Sequence, residues 1–362
     1  MDQTMNADLN QNSKTVITEI NQKERDYLFD NIKGLLIFSV VVAHYFRASA
    51  SFSVPTFGGV AYIISFSYIM QGFLFVSGYF SRNLVKCRQT AFKMFLFPYL
   101  LMMPIMYWIR YAIFGHAHFD ITLPTMALWY LLTLFVYRFL LKDLVRIPYI
   151  MPISLVAAFA AGLVPSLDST LSLGRTFSFL PFFLIGYYFK AEWIEKIRSL
   201  PKIIGWGTLG LLIGSCAYIA FTKAFPVTAL YMKSSYASTH LSVSHGIMVR
   251  IVIYLMAMAW IFVFVSLTPK AKTFLSGIGL NTMPVYILHI IMRYAVKSMG
   301  GQFGQDVPSY LILIAAAVLS VWLFSRPPVA KCYDKTIDII YEAVIGAPLK
   351  LIRKVLGTGK QS

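Results

Sequence analysis

The segment from Arg25 to Arg47 constrains the fold of this chain more than any other stretch. A polar head at 26–33 runs directly into an apolar run at 34–43, and that run ends at His44. Crossing the hydrocarbon of a bilayer takes roughly 20 residues of helix, and an apolar stretch of this kind is typical of a membrane-spanning helix. The chain is therefore predicted to carry a helix with a charged head and a histidine at membrane depth.

Lys33 and His44 share one face of this predicted helix. At 1.5 Å per residue, His44 lies about 16 Å beyond Lys33, which is about half the thickness of a bilayer. Their spacing corresponds to about three helical turns, and Asp30 lies on the same face. An ionisable group at this depth costs several kcal/mol unless it faces a bundle interior or a wet cavity. We therefore predict a catalytic group of His44, Lys33 and Asp30; alternatively, His44 only hydrogen-bonds a neighbouring helix.

Composition indicates an all-α, polytopic membrane protein with one helical bundle. Hydrophobic residues make up 58% of the 362 residues and charged residues only 13%, with a mean hydropathy of +0.67. The net charge of +17 is attributed to basic residues on the cytoplasmic side of a membrane rather than to nucleic-acid binding. The three cysteines show no metal-binding spacing, so neither a disulfide framework nor a metal site is predicted.

The apolar runs predict about ten transmembrane helices. Most Lys and Arg residues fall in the segments that share a side with the N-terminus, so both termini are predicted to be cytoplasmic. The predicted spans are 29–49, 58–80, 94–114, 125–141, 147–165, 176–190, 203–222, 246–267, 274–296 and 307–325.

Three regions follow from this division of the chain. Residues 1–24 are polar, lack the apolar core of a signal peptide, and are predicted to be a disordered cytoplasmic tail. Residues 25–326 form the membrane domain. Residues 327–362 combine apolar positions at helical spacing with interspersed basic residues, which predicts an amphipathic helix on the anionic inner leaflet. The alternative for this last region is a loosely ordered basic tail.

Four cations, Arg82, Lys86, Arg88 and Lys93, follow the second predicted span. A cluster of this kind can hold the phosphates of a nucleotide-bearing donor through charge-assisted hydrogen bonds. It is equally typical of the basic flank that membrane helices present to the cytoplasm. The residues alone leave both interpretations open.

Several segments resemble the acyltransferase-3 family of integral membrane acyltransferases. The segment DNIKGLLIFSVVVAH resembles the first helix of that family, closest to the branch with fucose 4-O-acetylase-like enzymes. The family pattern is a basic residue, ten residues and a histidine, here Lys33 and His44. Most members have arginine at the first position, and lysine keeps the charge but loses the bidentate fork. Further resemblance lies in GFLFVSGYF, FLFPYLL, LWYLLTLFVYRFL, RTFSFLPFFLIGYYF and LSGIGLNTMPVYILHIIMRY, so that it covers most of 25–295.

The resemblance implies roles for seven further residues. Arg82, Arg88 and Lys93 are implied to bind the acyl-CoA donor. Substrate-binding roles are implied for Arg175, Trp129, Asn281 and His289. Each of these four also has a purely structural alternative. Arg175 could be a snorkelling arginine and Trp129 an aromatic belt residue. Asn281 could cap a helix, and His289 could hydrogen-bond a neighbouring helix.

The implied activity is transfer of an acetyl or other short acyl group from acyl-CoA to a hydroxyl of a cell-surface saccharide or glycolipid. His44 would serve as general base, or carry the acyl group covalently. The expected setting is a multi-pass protein in a bacterial-type plasma membrane, with acyl-CoA, the acceptor and the lipid bilayer as partners. A rival prediction is a proton-coupled transporter of a solute or lipid-linked saccharide, since intramembrane His and Arg also mark such proteins.

Overall fold

Helices account for all regular secondary structure in the described part of the chain. The computed structural model describes residues 26–49, 53–168 and 170–350, and within these ranges there is no β-strand. The predicted N-terminal tail, 1–24, lies outside the described residues, as do 351–362 at the other end. The predicted all-α class is confirmed.

Fifteen α-helices are numbered here in chain order within the described ranges. They are α1 Leu28–Ala48, α2 Phe57–Phe66, α3 Ile69–Tyr79, α4 Leu84–Ala91, α5 Phe97–Phe114, α6 Trp129–Leu144, α7 Ile150–Ala160, α8 Leu173–Tyr188, α9 Ala191–Ser199, α10 Lys202–Thr222, α11 Val243–Leu267, α12 Phe274–Leu280, α13 Thr282–Ser298, α14 Val307–Phe324 and α15 Pro327–Tyr341. A π-helical turn, Phe92–Leu96, joins α4 to α5.

Six helical segments of the described chain are long and apolar enough to cross a membrane, and a bent pair makes a possible seventh. The six are Leu28–Ala48, Phe57–Tyr79, Leu84–Phe114, Lys202–Thr222, Val243–Leu267 and Val307–Phe324. Three other predicted spans, 125–141, 147–165 and 176–190, correspond to shorter helices around α6, α7 and α8. The fourth, 274–296, is broken into α12 and α13, which meet at 84°. The predicted count of ten is therefore not confirmed, although each predicted segment contains helix.

The two ends of the bundle are defined by contacts between its connecting segments. The backbone N–H of Tyr27 donates to the Lys270 carbonyl at the end where α1 begins, which we call the Lys33 end. At the other end, the His44 end, the hydroxyl of Ser49 donates to the carbonyl of Phe303. The charge distribution of the sequence predicts that the Lys33 end is cytoplasmic.

Helix α1 lies in the interior, whereas α10 and α14 lie at the periphery. About 72% of the most apolar window of α1 is buried, against 28% for α10 and for α14. The peripheral helices expose large apolar side chains such as Leu211 on α10 and Leu319 on α14. Exposed apolar surface on this scale suits contact with hydrocarbon rather than water. The polar groups carried by α1 are thereby kept away from lipid.

Asn31 joins the beginning of α1 to the segment that leads into α12. This side chain is completely buried. Its amide nitrogen donates to the carbonyls of Pro269 and Ala271, each at 2.9 Å. Its oxygen accepts from the hydroxyls of Thr273 and Ser276, each at 2.6 Å. A buried amide with both of its ends satisfied fixes the relative position of the two segments.

Two glycines allow α1 and α12 to pack backbone to backbone. A Cβ atom at Gly34 would lie 2.2 Å from the Leu275 carbonyl oxygen, and one at Gly279 would lie 1.8 Å from the Asp30 carbonyl oxygen. Neither position accepts a side chain without movement of the backbone. This close approach, like that of small residues in other membrane helix pairs, brings α12 flat against α1.

The break between α12 and α13 occurs at Asn281. Its side-chain amide donates to the carbonyl of Ser325 at the end of α14, at 2.9 Å. The bend of 84° redirects the chain so that α13 runs along α1 toward the His44 end. Asn281 thus lies at a structural junction between α12, α13 and α14.

The described part of the C-terminal region, 327–350, is helical, and its role as an amphipathic tail on the inner leaflet stays a prediction. Helix α15 buries Ala330 and Ile337 and exposes most of its other residues. The carboxylate of Asp338 pairs with the ammonium of Lys93 at 2.8 Å. This pair attaches the tail to the start of the α4–α5 segment.

Replacing Gly279 by alanine should destabilise the protein strongly. The new methyl group would overlap the Asp30 carbonyl, and overpacking of this kind costs roughly 1–3 kcal/mol. Gly277→Ala on the same helix is the matched control, because no atom lies within 4 Å of its added Cβ; it should be neutral or slightly stabilising. Thermal unfolding midpoints of the purified variants in detergent measure both effects. Equal midpoints would contradict the packing described here.

Candidate active site

His44 on α1 and His289 on α13 form a hydrogen-bonded pair. The distance between Nδ1 of His44 and Nε2 of His289 is 2.8 Å. The rings are stacked, with centroids 5.1 Å apart and planes inclined by 14°. His289 is completely buried, whereas His44 is partly exposed. The two histidines that the sequence singled out at helical positions are therefore in direct contact.

The hydrogen bonds assign the ring protons when both histidines are neutral. Nδ1 of His289 lies 3.0 Å from the carbonyl oxygen of Val285. Because a carbonyl only accepts, this nitrogen carries the proton, and Nε2 of His289 is then an acceptor. His44 donates to it from Nδ1, so that Nε2 of His44 is left with a free lone pair. The pair therefore presents one basic nitrogen, fixed in orientation by the buried partner.

His44 lines a cavity near the His44 end of the bundle, called here the His44 cavity. It encloses about 500 Å³ of empty space, including its open part. Its lining includes Val40, His44, Phe66, Trp129, Arg175, Tyr231 and Tyr286. Most of these side chains are apolar or aromatic, with a few polar groups, as in small-molecule sites generally.

Arg175 is the cation of the His44 cavity. Its guanidinium lies over the ring of Trp129, 4.6 Å from the ring centroid. Trp129 is itself 6% exposed and stacks on Phe179, so it belongs to the cavity wall and not to a lipid-facing belt. Asp168, in the loop before α8, accepts from the backbone N–H of Ser235 at 2.6 Å and forms no ion pair with Arg175. Among the described residues no carboxylate pairs with Arg175, and its charge remains available to a ligand.

A second cavity, the Lys33 cavity, lies toward the Lys33 end. It has about 820 Å³ of empty space, and its lining includes Lys33, Ser77, Tyr130, Arg138, Thr282 and Tyr286. Lys33 pairs with Asp30 at 2.9 Å, as expected for side chains three residues apart on one helical face. Asp30, Lys33 and His44 share a helix face, but the ion pair and His44 belong to different cavities.

Arg138 is the second cation of the Lys33 cavity. It lies within α6, and its buried Nε atom has no hydrogen-bond partner in the described part of the chain. One terminal nitrogen lies 3.4 Å from Sγ of Cys87. Arg138 was not singled out from the sequence, although its position inside an apolar helical run marks it as a candidate site residue.

Tyr286 is the one residue that lines both cavities among those described. Its hydroxyl donates to the carbonyl of Ala127. Its ring lies 5.5 Å from that of Tyr130 and 5.8 Å from that of His289. A buried, hydrogen-bonded tyrosine is therefore shared by the cavity of the histidine pair and the cavity of Lys33 and Arg138.

The three predicted donor-binding cations lie at the Lys33 end but not in the lining of the Lys33 cavity. Arg82 donates to the Phe189 carbonyl at 2.6 Å. Arg88 pairs with Asp143, and Lys93 pairs with Asp338. These contacts link neighbouring helices, and the donor-binding role of the three residues stays a prediction.

The fold and these cavities define a multi-pass helical membrane protein with an internal polar site. Residues 26–326 match the Acyl_transf_3 family, described as an acyltransferase domain, and the chain belongs to that family. It is therefore a membrane acyltransferase. The match does not specify the fucose 4-O-acetylase-like branch. No curated protein and no solved structure matches the chain significantly.

Within the described ranges no group of three or more His, Cys, Asp or Glu side chains is placed to hold a metal ion.

The proton positions on the histidine pair are measurable by ¹⁵N NMR of histidine-labelled protein at neutral pH. We expect both His289 and His44 to carry their proton on Nδ1. His289→Phe removes the acceptor and should change the tautomer signal of His44, while exposed His245 serves as the unperturbed control. Signals are assigned by single histidine substitutions. A proton on Nε2 of His289 would contradict the arrangement.

Proposed function

We propose that this acyltransferase moves an acetyl or other short acyl group from acyl-CoA to a hydroxyl of a cell-surface saccharide or glycolipid, with His44 as general base. The observation that carries the proposal is the hydrogen bond between Nδ1 of His44 and Nε2 of His289 at the wall of a cavity, which leaves Nε2 of His44 free to accept a proton. Membership of the family supports the acyl-transfer class.

The chemical step requires one proton to be taken up and returned. As the acceptor hydroxyl attacks the thioester carbonyl carbon, Nε2 of His44 takes the hydroxyl proton. The C–S bond then breaks, and the proton passes from His44 to the departing thiolate, giving free coenzyme A and the ester. Nε2 of His289 accepts from Nδ1–H of His44 throughout, which stabilises the transient imidazolium. General base catalysis of this kind contributes roughly 10²–10⁴-fold.

The donor is assigned to the Lys33 cavity. Its two cations, Lys33 and Arg138, suit the phosphates or the polar arm of coenzyme A. Lys33 lies about 16 Å from His44 along α1, so a donor held there must extend its thioester along α1 and past Tyr286. Arg82, Arg88 and Lys93 are proposed to attract the nucleotide to the mouth, because Arg88 and Lys93 are solvent-accessible despite their ion pairs.

The acceptor is assigned to the His44 cavity. Sugar rings pack well on aromatic faces, and Trp129 supplies one, while Arg175 provides hydrogen-bond donors for hydroxyl or anionic groups. His289 is proposed to act through His44 rather than on the substrate itself, because it is completely buried. Asn281, bonded to Ser325, lies outside the lining of both cavities, and its substrate-binding role stays a prediction.

A proton-coupled transporter is the second candidate. Two cavities toward opposite ends of the bundle, separated by a single tyrosine, also fit a protein that exposes one ligand to each side in turn. Release of free thiol from acetyl-CoA distinguishes the two, because a transporter leaves the thioester intact.

His44→Ala should abolish nearly all acyl transfer while the protein stays folded and inserted. The expected loss in turnover is about 10²–10⁴-fold, and binding of acyl-CoA should survive because the cations that hold it are elsewhere. His245→Ala, an exposed histidine outside both cavities, is the matched control. The measurement is thiol release and product formation by reconstituted protein at equal membrane abundance. Wild-type turnover in His44→Ala would overturn the mechanism.

Removing a cation of the Lys33 cavity should weaken donor binding. Lys33→Ala and Arg138→Gln should each raise the KM for acyl-CoA by about tenfold to a hundredfold, as expected for one charge-assisted hydrogen bond, with a smaller effect on the KM for acceptor. Lys33→Arg should retain activity because it keeps the charge. If Arg88→Gln and Lys93→Gln raise the KM for acyl-CoA instead, the phosphates are held by these two surface residues and not by the Lys33 cavity.

A further inference from the structure

A third cavity, the Arg293 cavity, opens at the His44 end of the bundle. It has about 1130 Å³ of empty space, and its charged and histidine lining residues are Arg110, His116, His118, Asp120, Arg293 and Lys297. These residues come from the end of α5, the following loop and the end of α13. The cavity is distinct from the His44 and Lys33 cavities in every lining residue.

The cavity carries an excess of positive charge without internal compensation. Arg110, Arg293 and Lys297 form no ion pair with any described carboxylate. The one carboxylate in the lining, Asp120, is engaged by the backbone N–H and hydroxyl of Thr122, at 2.8 and 2.7 Å. Three cations thus face one carboxylate that is already hydrogen-bonded.

Arg293 is the least satisfied of these cations. Its Nε atom is buried and has no hydrogen-bond partner in the described ranges. Arg47 and Arg110 lie near enough for their charges to act on it. Placing like charges together in partly buried positions is unfavourable unless an anion compensates them. The arrangement therefore favours a negatively charged ligand with oxygen acceptors.

The position of the cavity connects it to the histidine pair. Arg293 follows His289 by one helical turn on the same face of α13. Met126 lines the Arg293 cavity, and the next residue, Ala127, lines the His44 cavity. An anion held by Arg293 and Lys297 therefore lies beside the space in which His44 presents its free nitrogen.

We propose that the Arg293 cavity binds an oxyanion, a phosphate or a carboxylate, carried by the saccharide acceptor. This proposal rests on the proposed acyl transfer, because it specifies the chemical class of the acceptor in that reaction. The anion anchors the acceptor at the His44 end while a hydroxyl of the same molecule reaches His44. Arginine suits this role because its planar fork binds phosphate and carboxylate bidentately.

Binding is tested without any acyl donor, on the full chain in phosphatidylcholine nanodiscs. The thermal unfolding midpoint is followed while glucose 1-phosphate, glucuronate or glucose is added, since a ligand of the native state raises that midpoint. Exposure of the buried thiols of Cys87 and Cys216 reports unfolding after exposed Cys332 has been blocked. We expect at least one anionic sugar to raise the midpoint at concentrations where glucose has no effect.

Variants then locate the binding site. Arg293→Gln and Lys297→Gln should each lower the affinity for the anionic sugar by about tenfold to a hundredfold. Arg293→Lys should retain part of that affinity. Lys223→Gln, at the same end but outside the Arg293 cavity, should bind like wild type. Equal responses to glucose and the anionic sugars, or unchanged affinity in Arg293→Gln and Lys297→Gln, would overturn the proposal.

Two further measurements distinguish this proposal from a lipid-headgroup site and from the proposed acyl transfer itself. Replacing part of the phosphatidylcholine with phosphatidylglycerol should not displace the sugar; full displacement would assign the site to a lipid headgroup and overturn the acceptor assignment. His44→Ala should still bind the anionic sugar. If no thiol is released from acetyl-CoA by wild type while Arg293-dependent binding persists, the proposed transfer fails and the anion site stands.

Discussion

The backbone contact between α1 and α12 is the constraint on which the rest of the site depends. Asn31 holds the segment before α12 through four hydrogen bonds, and the glycines at 34 and 279 allow the helices to touch. With α12 fixed in this way, the bend at Asn281 determines where α13 runs. The direction of α13 in turn decides that His289 meets His44. The contact between α1 and α12, at the Lys33 end of α1, thus fixes the position of His289 relative to His44 at the other end.

The cost of burying polar groups explains how the interior charges are distributed. His44 and His289 form a pair in which neutral rings satisfy both of the described hydrogen bonds. Lys33 is accompanied by Asp30, and Arg175 by the face of Trp129. Each of these side chains thus has a compensating neighbour, as the low dielectric of the membrane requires. The buried Nε atoms of Arg138 and Arg293, which have no hydrogen-bond partner in the described ranges, belong to side chains that line cavities.

Much of this was predictable from local patterns. The apolar runs indicated where helices form, and the spacing of Asp30 and Lys33 placed both side chains on one helix face. The motif positions singled out both histidines. Their contact with each other was not predictable, because it joins residues 245 positions apart and depends on a helix break that apolar patterning conceals. The partners of Arg82, Arg88 and Lys93 lie on other helices for the same reason. Arg138 was overlooked among the many basic residues that were attributed as a group to the cytoplasmic side.

Tyr286, which lines both cavities, bears on the ion gradient across the membrane. A membrane that stores energy as an ion gradient loses it through any uninterrupted file of water. Tyr286 is the described side chain that the linings of both cavities share. Its hydroxyl is held by the Ala127 carbonyl and its ring by Tyr130. A file of water that joined the two cavities would therefore have to pass this side chain, which its neighbours hold in one position.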